Sequence, residues 1–196
     1  MKKTLRELKM EKKKSDILRV AIDLLAVKGY ERTTMEDVAQ ELLMTKGSLY
    51  YYFANKEELY FECNMMIIDE SIKLIEEIYN SQLTTTQKLE ELIYQYIIFQ
   101  INEKPIFSLA NNLQHIFSEQ NFLLITEGRD KFNQILDRII KEGIKNKEFH
   151  TEDVKLTRFL MMGALNSIQA WYKPNGDKTP EEIAKVYADQ LLRILK

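Results

Sequence analysis

The most informative stretch of this sequence is Thr45-Lys46-Gly47-Ser48-Leu49-Tyr50-Tyr51-Tyr52-Phe53. Leu49 and Phe53 are four residues apart, which predicts a short helix over 46–53 that packs through one apolar edge. Three consecutive tyrosines sweep most of the way round a helix, so they cannot all be buried. Their hydroxyls suit phosphate oxygens, and their rings suit a thymine methyl group or a sugar, so the stretch predicts a contact with DNA.

Gly47 lies in the first turn of this predicted helix. Glycine there lowers helix stability but lets a partner come close to the backbone, and N–H groups at a helix N-terminus attract phosphate. A purely structural interpretation stays open, in which Tyr50 and Tyr52 are half-buried packing residues and Gly47 only eases the turn.

The residues just upstream predict a second short helix. Thr34 is expected to cap a helix over 35–42, with Asp37 at the third helical position to complete a capping box and to complement the helix dipole. A turn over 43–45 then leads to the helix over 46–53. Two short helices joined by a tight turn have the dimensions of a helix-turn-helix unit.

Helical signals continue on both sides of this unit. A first amphipathic helix includes Ile17 and stops at Gly29, and Asn55 caps a long helix that extends to about residue 80. Six glycines and three prolines provide little turn chemistry for a sheet, so we expect an all-α fold of about nine helices. The further predicted helices cover 86–103, 105–118, 121–145, 152–172 and 180–196.

Charge is distributed unevenly along the chain. The formal net charge is −2, and residues 61–196 contain 16 basic and 20 acidic side chains, so a polyanion is expected to contact only the N-terminal part. Residues 1–14 contain seven bases and two acids. Two interpretations of this basic run stay open: a frayed, solvated tail, and an arm that contacts phosphates.

The sequence also predicts the cellular compartment of the protein. Its one cysteine, Cys63, lies in an apolar helical stretch and is expected to be a small core residue in a reducing compartment. The N-terminus lacks the apolar region of a signal peptide, and the uncharged run 159–172, which no other uncharged run exceeds in length, is too short to span a bilayer. We therefore expect a soluble cytoplasmic protein without a membrane partner.

Together these residues resemble the DNA-binding signature of the TetR family of bacterial transcriptional regulators. The resemblance extends from residue 17 to residue 59 and touches four helices, which makes it far more specific than one short motif. It implies a three-helix, helix-turn-helix DNA-binding domain over 1–55 and a helical ligand-sensing and dimerisation domain over 56–196. The matching residues are Ile17, Ala21, Leu24, Leu25, Gly29, Tyr30, Thr33 to Ala39, Lys46 to Phe53, and Asn55 to Leu59.

The resemblance also implies roles for individual residues. Thr34 would cap the second helix and touch a phosphate, and Lys56 would contact a phosphate from the start of the fourth helix. The recognition-helix surface would consist of Thr45, Lys46, Gly47, Ser48, Tyr50, Tyr51 and Tyr52.

One residue departs from the family pattern. Leu43 stands at the end of the second helix, where the family usually has glycine, and leucine adopts a positive φ only at a cost in free energy. Either the turn is made differently or it is mildly strained.

The last two predicted helices, over 152–172 and 180–196, are expected to form a homodimer interface. Residues 159–172 include no charge, which predicts burial on all sides, and Gly163, Ser167 and Ala170 form a ridge of small residues that another helix could approach closely. The last helix is apolar outside one narrow polar stripe. The resemblance implies a four-helix interface between two subunits. The alternative is a monomer whose terminal helix lies deep in a large core.

Aromatic and methionine side chains in the C-terminal part suit a cavity for a small apolar or amphipathic effector, which members of the family commonly bind there. Each candidate could equally be an ordinary core residue. The candidate ligand-binding residues are Met65, Tyr94, Phe99, Asn112, His115, Phe132, Met162, Asn166 and Gln169.

No motif predicts catalysis or a bound ion. His115 and His150 are the only histidines, no metal-ligand spacing is present, and paired acids or nucleophiles at catalytic spacing are missing, so we expect no metal, no cofactor and no enzyme. The resemblance implies a repressor that docks two recognition helices on a palindromic operator in double-stranded DNA and releases it when a small-molecule effector shifts the fourth helix. The alternative is a helical binding or scaffold protein with a relic helix-turn-helix.

Overall fold

The computed structural model describes residues 4–102 and 115–195, and its regular elements are α-helices. This confirms the all-α prediction. The predicted helix over 105–118 lies almost wholly outside the described residues. The described residues form eight helices: α1 (Leu5–Arg32), α2 (Met35–Glu41), α3 (Lys46–Tyr50), α4 (Lys56–Tyr79), α5 (Thr85–Asn102), α6 (Glu119–Lys145), α7 (Val154–Trp171) and α8 (Pro180–Arg193).

The first helix begins well before Ile17, the first apolar residue of the predicted amphipathic stretch. Thr4 caps it through a capping box: Glu7 N donates to Thr4 Oγ1 over 3.3 Å, and Thr4 N donates to Glu7 Oε2 over 2.7 Å. The interpretation of residues 5–14 as a frayed tail is therefore wrong. The helix was predicted to stop at Gly29, and Gly29 does interrupt it with φ 76°, but helical structure then resumes as far as Arg32.

The chain forms two compact units. Unit 1 comprises Met1–Ile67 and Pro105–Ile125, and unit 2 comprises Ile68–Lys104 and Thr126–Lys196. This grouping differs from a division at residue 55 because α4 contributes residues to both units.

In unit 1, helices α1, α2 and α3 pack around a small apolar core. Ile17 and Ala21, one helical turn apart on α1, are fully buried, as are Val38 of α2 and Leu49 of α3. Cys63 is buried among them as expected, and burial raises the pKa of its thiol. A core of this kind holds the two short helices at a fixed angle, since neither is long enough to be stable alone.

In unit 2, α5 packs against α7 and α8. Ile93 of α5, Leu165 of α7 and Ala184 of α8 are fully buried in one core. At the edge of this core, Arg158 Nε of α7 donates to Asp137 Oδ1 of α6 over 2.8 Å. None of the helices in the described residues is long and apolar enough to cross a lipid bilayer.

Candidate nucleic-acid interface

The start of α2 is held by the capping box that the sequence predicted. Thr34 N donates to Asp37 Oδ2 over 2.8 Å, and Asp37 N donates to Thr34 Oγ1 over 3.1 Å. Lys28 Nζ donates to the other carboxylate oxygen of Asp37 over 2.8 Å. Hydrogen bonds from Lys28 and then from Thr34 lower the pKa of Asp37 to about 2. Thr34 is thereby fixed at an exposed helix N-terminus, where a phosphate could reach it.

The turn between α2 and α3 is strained at Leu43, which has φ 52°. Leu43 N donates to Gln40 O over 3.0 Å, and Met44 N donates to Ala39 O over 2.8 Å. These two bonds are those of a Schellman motif, which ends a helix and normally places glycine at the residue with positive φ. The turn is therefore made in the usual way and is strained at Leu43, which is the second of the two outcomes that the sequence left open.

Replacing Leu43 by glycine is expected to raise the free energy of unfolding by about 1 kcal/mol, because glycine adopts this conformation without a Cβ clash. The Leu43 side chain is 95% exposed, so its removal costs no packing. Urea denaturation of the variant and of the unchanged protein measures the difference. Leu123→Gly, at an exposed leucine inside α6, is the matched control and should lose about 1 kcal/mol. Equal losses in both variants would show that the turn stores no strain.

Helix α3 is attached through two apolar side chains, as predicted, but it is shorter than predicted and ends at Tyr50. Leu49 and Phe53 are buried, and Phe53 follows in the turn after the helix. Thr45 caps the helix, because its side chain accepts from Ser48 N over 3.2 Å. The rest of the predicted recognition surface is open to solvent, except that Tyr52 is half-buried. The exposed residues are Thr45, Lys46, Gly47, Ser48, Tyr50 and Tyr51.

Gly47 is not required by the fold of the chain. Its φ is not positive, and a Cβ built on it would meet no atom within 4 Å. Neither the backbone nor packing inside unit 1 therefore explains a glycine at this position. That glycine at this position admits a close partner stays a prediction.

Lys46 is held in place across the helix-turn-helix although it is exposed. Its ammonium group pairs with the Glu36 carboxylate of α2 and lies 5.7 Å from the centroid of the Tyr50 ring. The hydrogen bond between Lys46 and Glu36 raises the pKa of the lysine and lowers the pKa of the glutamate. Tyr51 and Tyr52 form an edge-to-face ring pair with centroids 5.3 Å apart. The surface therefore presents a positioned cation beside three aromatic rings.

Lys56, the predicted phosphate contact on α4, interacts with residues of its own chain. Its Nζ donates to Glu31 O over 3.3 Å and lies 4.2 Å from the centroid of the Tyr30 ring. Burial raises the pKa of Tyr30, so its ring stays a neutral partner. Asn55 caps α4 as predicted, since Glu58 N donates to Asn55 Oδ1 over 2.8 Å. A phosphate contact by Lys56 stays a prediction.

Some predicted ligand-binding residues of unit 2 meet around a buried glutamine that sequence reasoning missed. Gln100 Nε2 donates to Asn166 Oδ1 over 2.9 Å, and Gln169 Nε2 donates to Gln100 Oε1 over 2.8 Å. Tyr96 Oη donates to Asn166 Oδ1 over 3.2 Å, and the Tyr96 ring lies 5.3 Å from that of Phe132. Gln100 is fully buried, and its only sequence signal is a polar residue in the apolar run of α5.

The other candidates in the described ranges lie in several different settings. Tyr94 lines a groove of about 560 Å³ between α5 and α8, and Met162 packs at the edge of the unit 2 core. Phe99 is half-buried on α5. Met65 and His115 belong to unit 1, where Met65 is half-buried and His115 is exposed, and Asn112 lies outside the described residues. In 4–102 and 115–195, no three histidine, cysteine or acidic side chains come together as a metal would require.

One face of α7 is apolar and exposed, so this helix is not buried on all sides within a single chain. Leu156, Phe159 and Leu160 are each more than half exposed, and a Cβ on Gly163 would meet open space. Farther along, the exposed Trp171 ring stacks on that of Tyr187 in α8, with centroids 6.3 Å apart. The exposed face continues onto α8, where Val186 is nearly half exposed, and onto Ile194, which caps the end of α8 and is exposed to the same extent.

Both parts of the chain match models of known families. Residues 17–63 match the family described as bacterial regulatory proteins, tetR family. Residues 82–195 match the family described as tetracyclin repressor-like, C-terminal domain. The first match contains α2 and α3, and the second contains α5, α6, α7 and α8.

Three known proteins are similar to this chain over most of their length. The HTH-type transcriptional repressor KstR2 of Rhodococcus jostii (strain RHA1) is 27% identical over 183 residues, which cover 92% of this chain and 89% of that protein. The fatty acid metabolism regulator protein of Bacillus subtilis (strain 168) is 25% identical over 166 residues, covering 83% and 84%. The TetR family transcriptional regulator PfmR from Thermus thermophilus superposes with a TM-score of 0.81 at 28% identity, covering 90% and 97%.

Proposed function

The chain belongs to the TetR family of bacterial regulatory proteins, and we propose that it is a cytoplasmic, ligand-responsive repressor that releases a palindromic operator when a small apolar or amphipathic effector binds. The observation that carries the proposal is the exposed surface of α3. Leu49 and Phe53 are buried, while Lys46, Tyr50 and Tyr51 remain open to solvent. A soluble chain that keeps adjacent large rings exposed on a fixed helix is built to contact a partner.

The residues of this surface divide by the kind of DNA contact they make. Thr34 and Ser48 bear exposed hydroxyls that turn from their partners Asp37 and Thr45 to phosphate oxygens and position the unit on the duplex. Tyr51 and Lys46 reach the floor of the major groove, where a tyrosine ring meets a thymine methyl group and an ammonium group meets guanine acceptors. The Lys46–Glu36 pair holds the ammonium group on this surface in the protein without DNA.

A homodimer is needed because one helix-turn-helix touches only a few base pairs. Two recognition helices must lie about 34–36 Å apart to enter successive major grooves on one side of the duplex. The exposed apolar face of α7, continued by α8, supports a symmetric interface built from both helices of each subunit. The small residue Gly163 at its centre would let the partner helix approach closely.

The effector binds in the C-terminal part. The polar cluster around Gln100 offers donors and acceptors inside an otherwise apolar core, which is the composition of a site for an amphipathic molecule. The name of the Bacillus subtilis relative makes fatty acids the first probes to use. Coupling of about 1–3 kcal/mol between effector and operator would be enough for regulation, and it must act in both directions.

Retardation and footprinting on DNA that flanks the protein's own gene test the proposal. We expect the purified full chain to retard one of a set of tiled duplexes, more weakly as salt rises, and to protect two half-sites about one helical turn apart. An active fatty acid should release that duplex, and the duplex should weaken fatty-acid binding by the same factor. Failure to retard any duplex would contradict the proposal and favour a scaffold protein. Equal fatty-acid affinity with and without the duplex would refute the release mechanism alone.

A further inference from the structure

The first three turns of α1 extend beyond the core of unit 1. From Leu5 to Asp16 the side chains are exposed or half-buried, and burial begins at Ile17. The capping box of Thr4 and Glu7 gives this segment a defined start. A helical segment that buries so little contributes little to the core, so its own surface needs an explanation.

The surface of this extension is divided by charge. Arg6, Lys9 and Lys13 follow one another at spacings of three and four residues, so they share one face of the helix. Glu7 and Glu11 are four residues apart and share a different face. The extension therefore presents a continuous basic edge, which we call the α1 basic face, defined by Arg6, Lys9 and Lys13.

The α1 basic face lies beside the recognition surface. Arg6 and Lys9, with Leu5 and Met10, line an open groove of about 390 Å³ whose opposite wall is Tyr52. One turn farther along, Lys14 Nζ lies 5.4 Å from the centroid of the Phe53 ring. The basic edge and the C-terminal end of the 46–53 stretch are thus neighbours within one compact unit.

We propose that the α1 basic face is a second DNA-contacting surface, which binds backbone phosphates of the duplex flanking those that the recognition helix approaches. The inference rests on the proposed function, because it takes operator DNA as the partner. Flexible basic side chains on an exposed helix supply point charges without the fixed geometry that base recognition needs, so the contact adds affinity and leaves sequence preference to α3. Its charge contrasts with the acidic balance of residues 61–196, which favours a polyanion at this end of the chain alone.

The salt dependence of DNA binding tests this inference. The triple variant R6Q/K9Q/K13Q removes three charges and keeps good helix formers. Its matched control, K131Q/K141Q/K145Q, removes three charges from exposed lysines of α6 in unit 2. Full-length proteins are titrated at several KCl concentrations against the operator duplex and against a random-sequence duplex about four helical turns long, and binding is followed by fluorescence anisotropy.

We expect the triple variant to bind both duplexes at least about tenfold more weakly at physiological salt. The slope of log affinity against log salt should fall by about 0.9 for each phosphate that is no longer neutralised, counted over both copies in the dimer. The ratio of the affinities for the two duplexes should stay as in the unchanged protein. The control variant should bind both duplexes as the unchanged protein does. An unchanged slope in the triple variant, with normal DNA binding by the unchanged protein, would overturn this inference alone. Absence of binding to either duplex by the unchanged protein would overturn both this inference and the proposed function.

Discussion

The double variant Tyr51→Ala, Lys46→Gln is expected to lose operator binding, with affinity about a thousandfold lower than that of the unchanged protein. Both side chains are exposed, and Tyr51 is 64% exposed. A base contact contributes about 1–3 kcal/mol, and the dimer presents each residue twice, so even the lower value at four positions gives about 4 kcal/mol. Retardation of the operator duplex at fixed salt measures the loss.

The fold and the dimer should survive these two changes. The Tyr51 ring pairs edge-to-face with that of Tyr52 but is mostly exposed, and the Lys46–Glu36 pair is exposed, where ion pairs add little to stability. Circular dichroism and sedimentation therefore accompany the binding assay. The control variant Leu123→Ala, Lys131→Gln removes an exposed apolar side chain and a lysine from α6, outside the α3 surface, and should bind normally. Unchanged operator affinity in the double variant would show that α3 is not the reader.

Replacing Leu160 by aspartate is expected to convert the dimer into monomers and to weaken operator binding with it. Leu160 lies in the exposed apolar face of α7 and is 64% exposed in the single chain, so the folded subunit should tolerate a carboxylate there. In a two-fold interface two such carboxylates would be buried without partners, at a cost of several kcal/mol. A single subunit then keeps one recognition helix, and the gain from binding two half-sites is lost.

Sedimentation velocity over a range of protein concentrations distinguishes the outcomes of this second experiment. Leu83→Asp, at a leucine that is 40% exposed between α4 and α5, introduces the same charge away from the α7 face and should remain dimeric. A Leu160→Asp protein that stays dimeric would place the interface elsewhere on the chain. A monomeric parent protein would contradict the homodimer directly.

Several local features could be predicted from the amino-acid sequence because they depend on neighbours three or four residues apart. Thr34 with Asp37 and Asn55 with Glu58 are caps in the structure as they are in the sequence. Leu49 and Phe53 are both buried, as the sequence predicted, although only Leu49 lies in the helix. The predicted helix ends were less accurate: α3 was predicted to extend to residue 53 but ends at Tyr50, and Phe53 is buried beyond the helix.

Leu43 could be predicted only in part. The sequence identifies a leucine where the turn favours glycine, but it does not say whether the turn changes or the residue is strained. The structure has the turn unchanged, with φ 52° at Leu43. Two hydrogen bonds and the packing of α2 against α3 impose this conformation, which is unfavourable for leucine.

The all-α class, the helix-turn-helix and its caps could be derived from the amino-acid sequence, since they follow from periodicity and from contacts along one helix. Packing between helices is what pairs Lys46 with Glu36, bonds Gln100 to Asn166 and Gln169, and places the basic start of α1 beside Tyr52. It also decided that one face of α7 stays uncovered within the chain. These facts depend on which distant residues become neighbours, and a one-dimensional pattern does not contain the packing that brings them together.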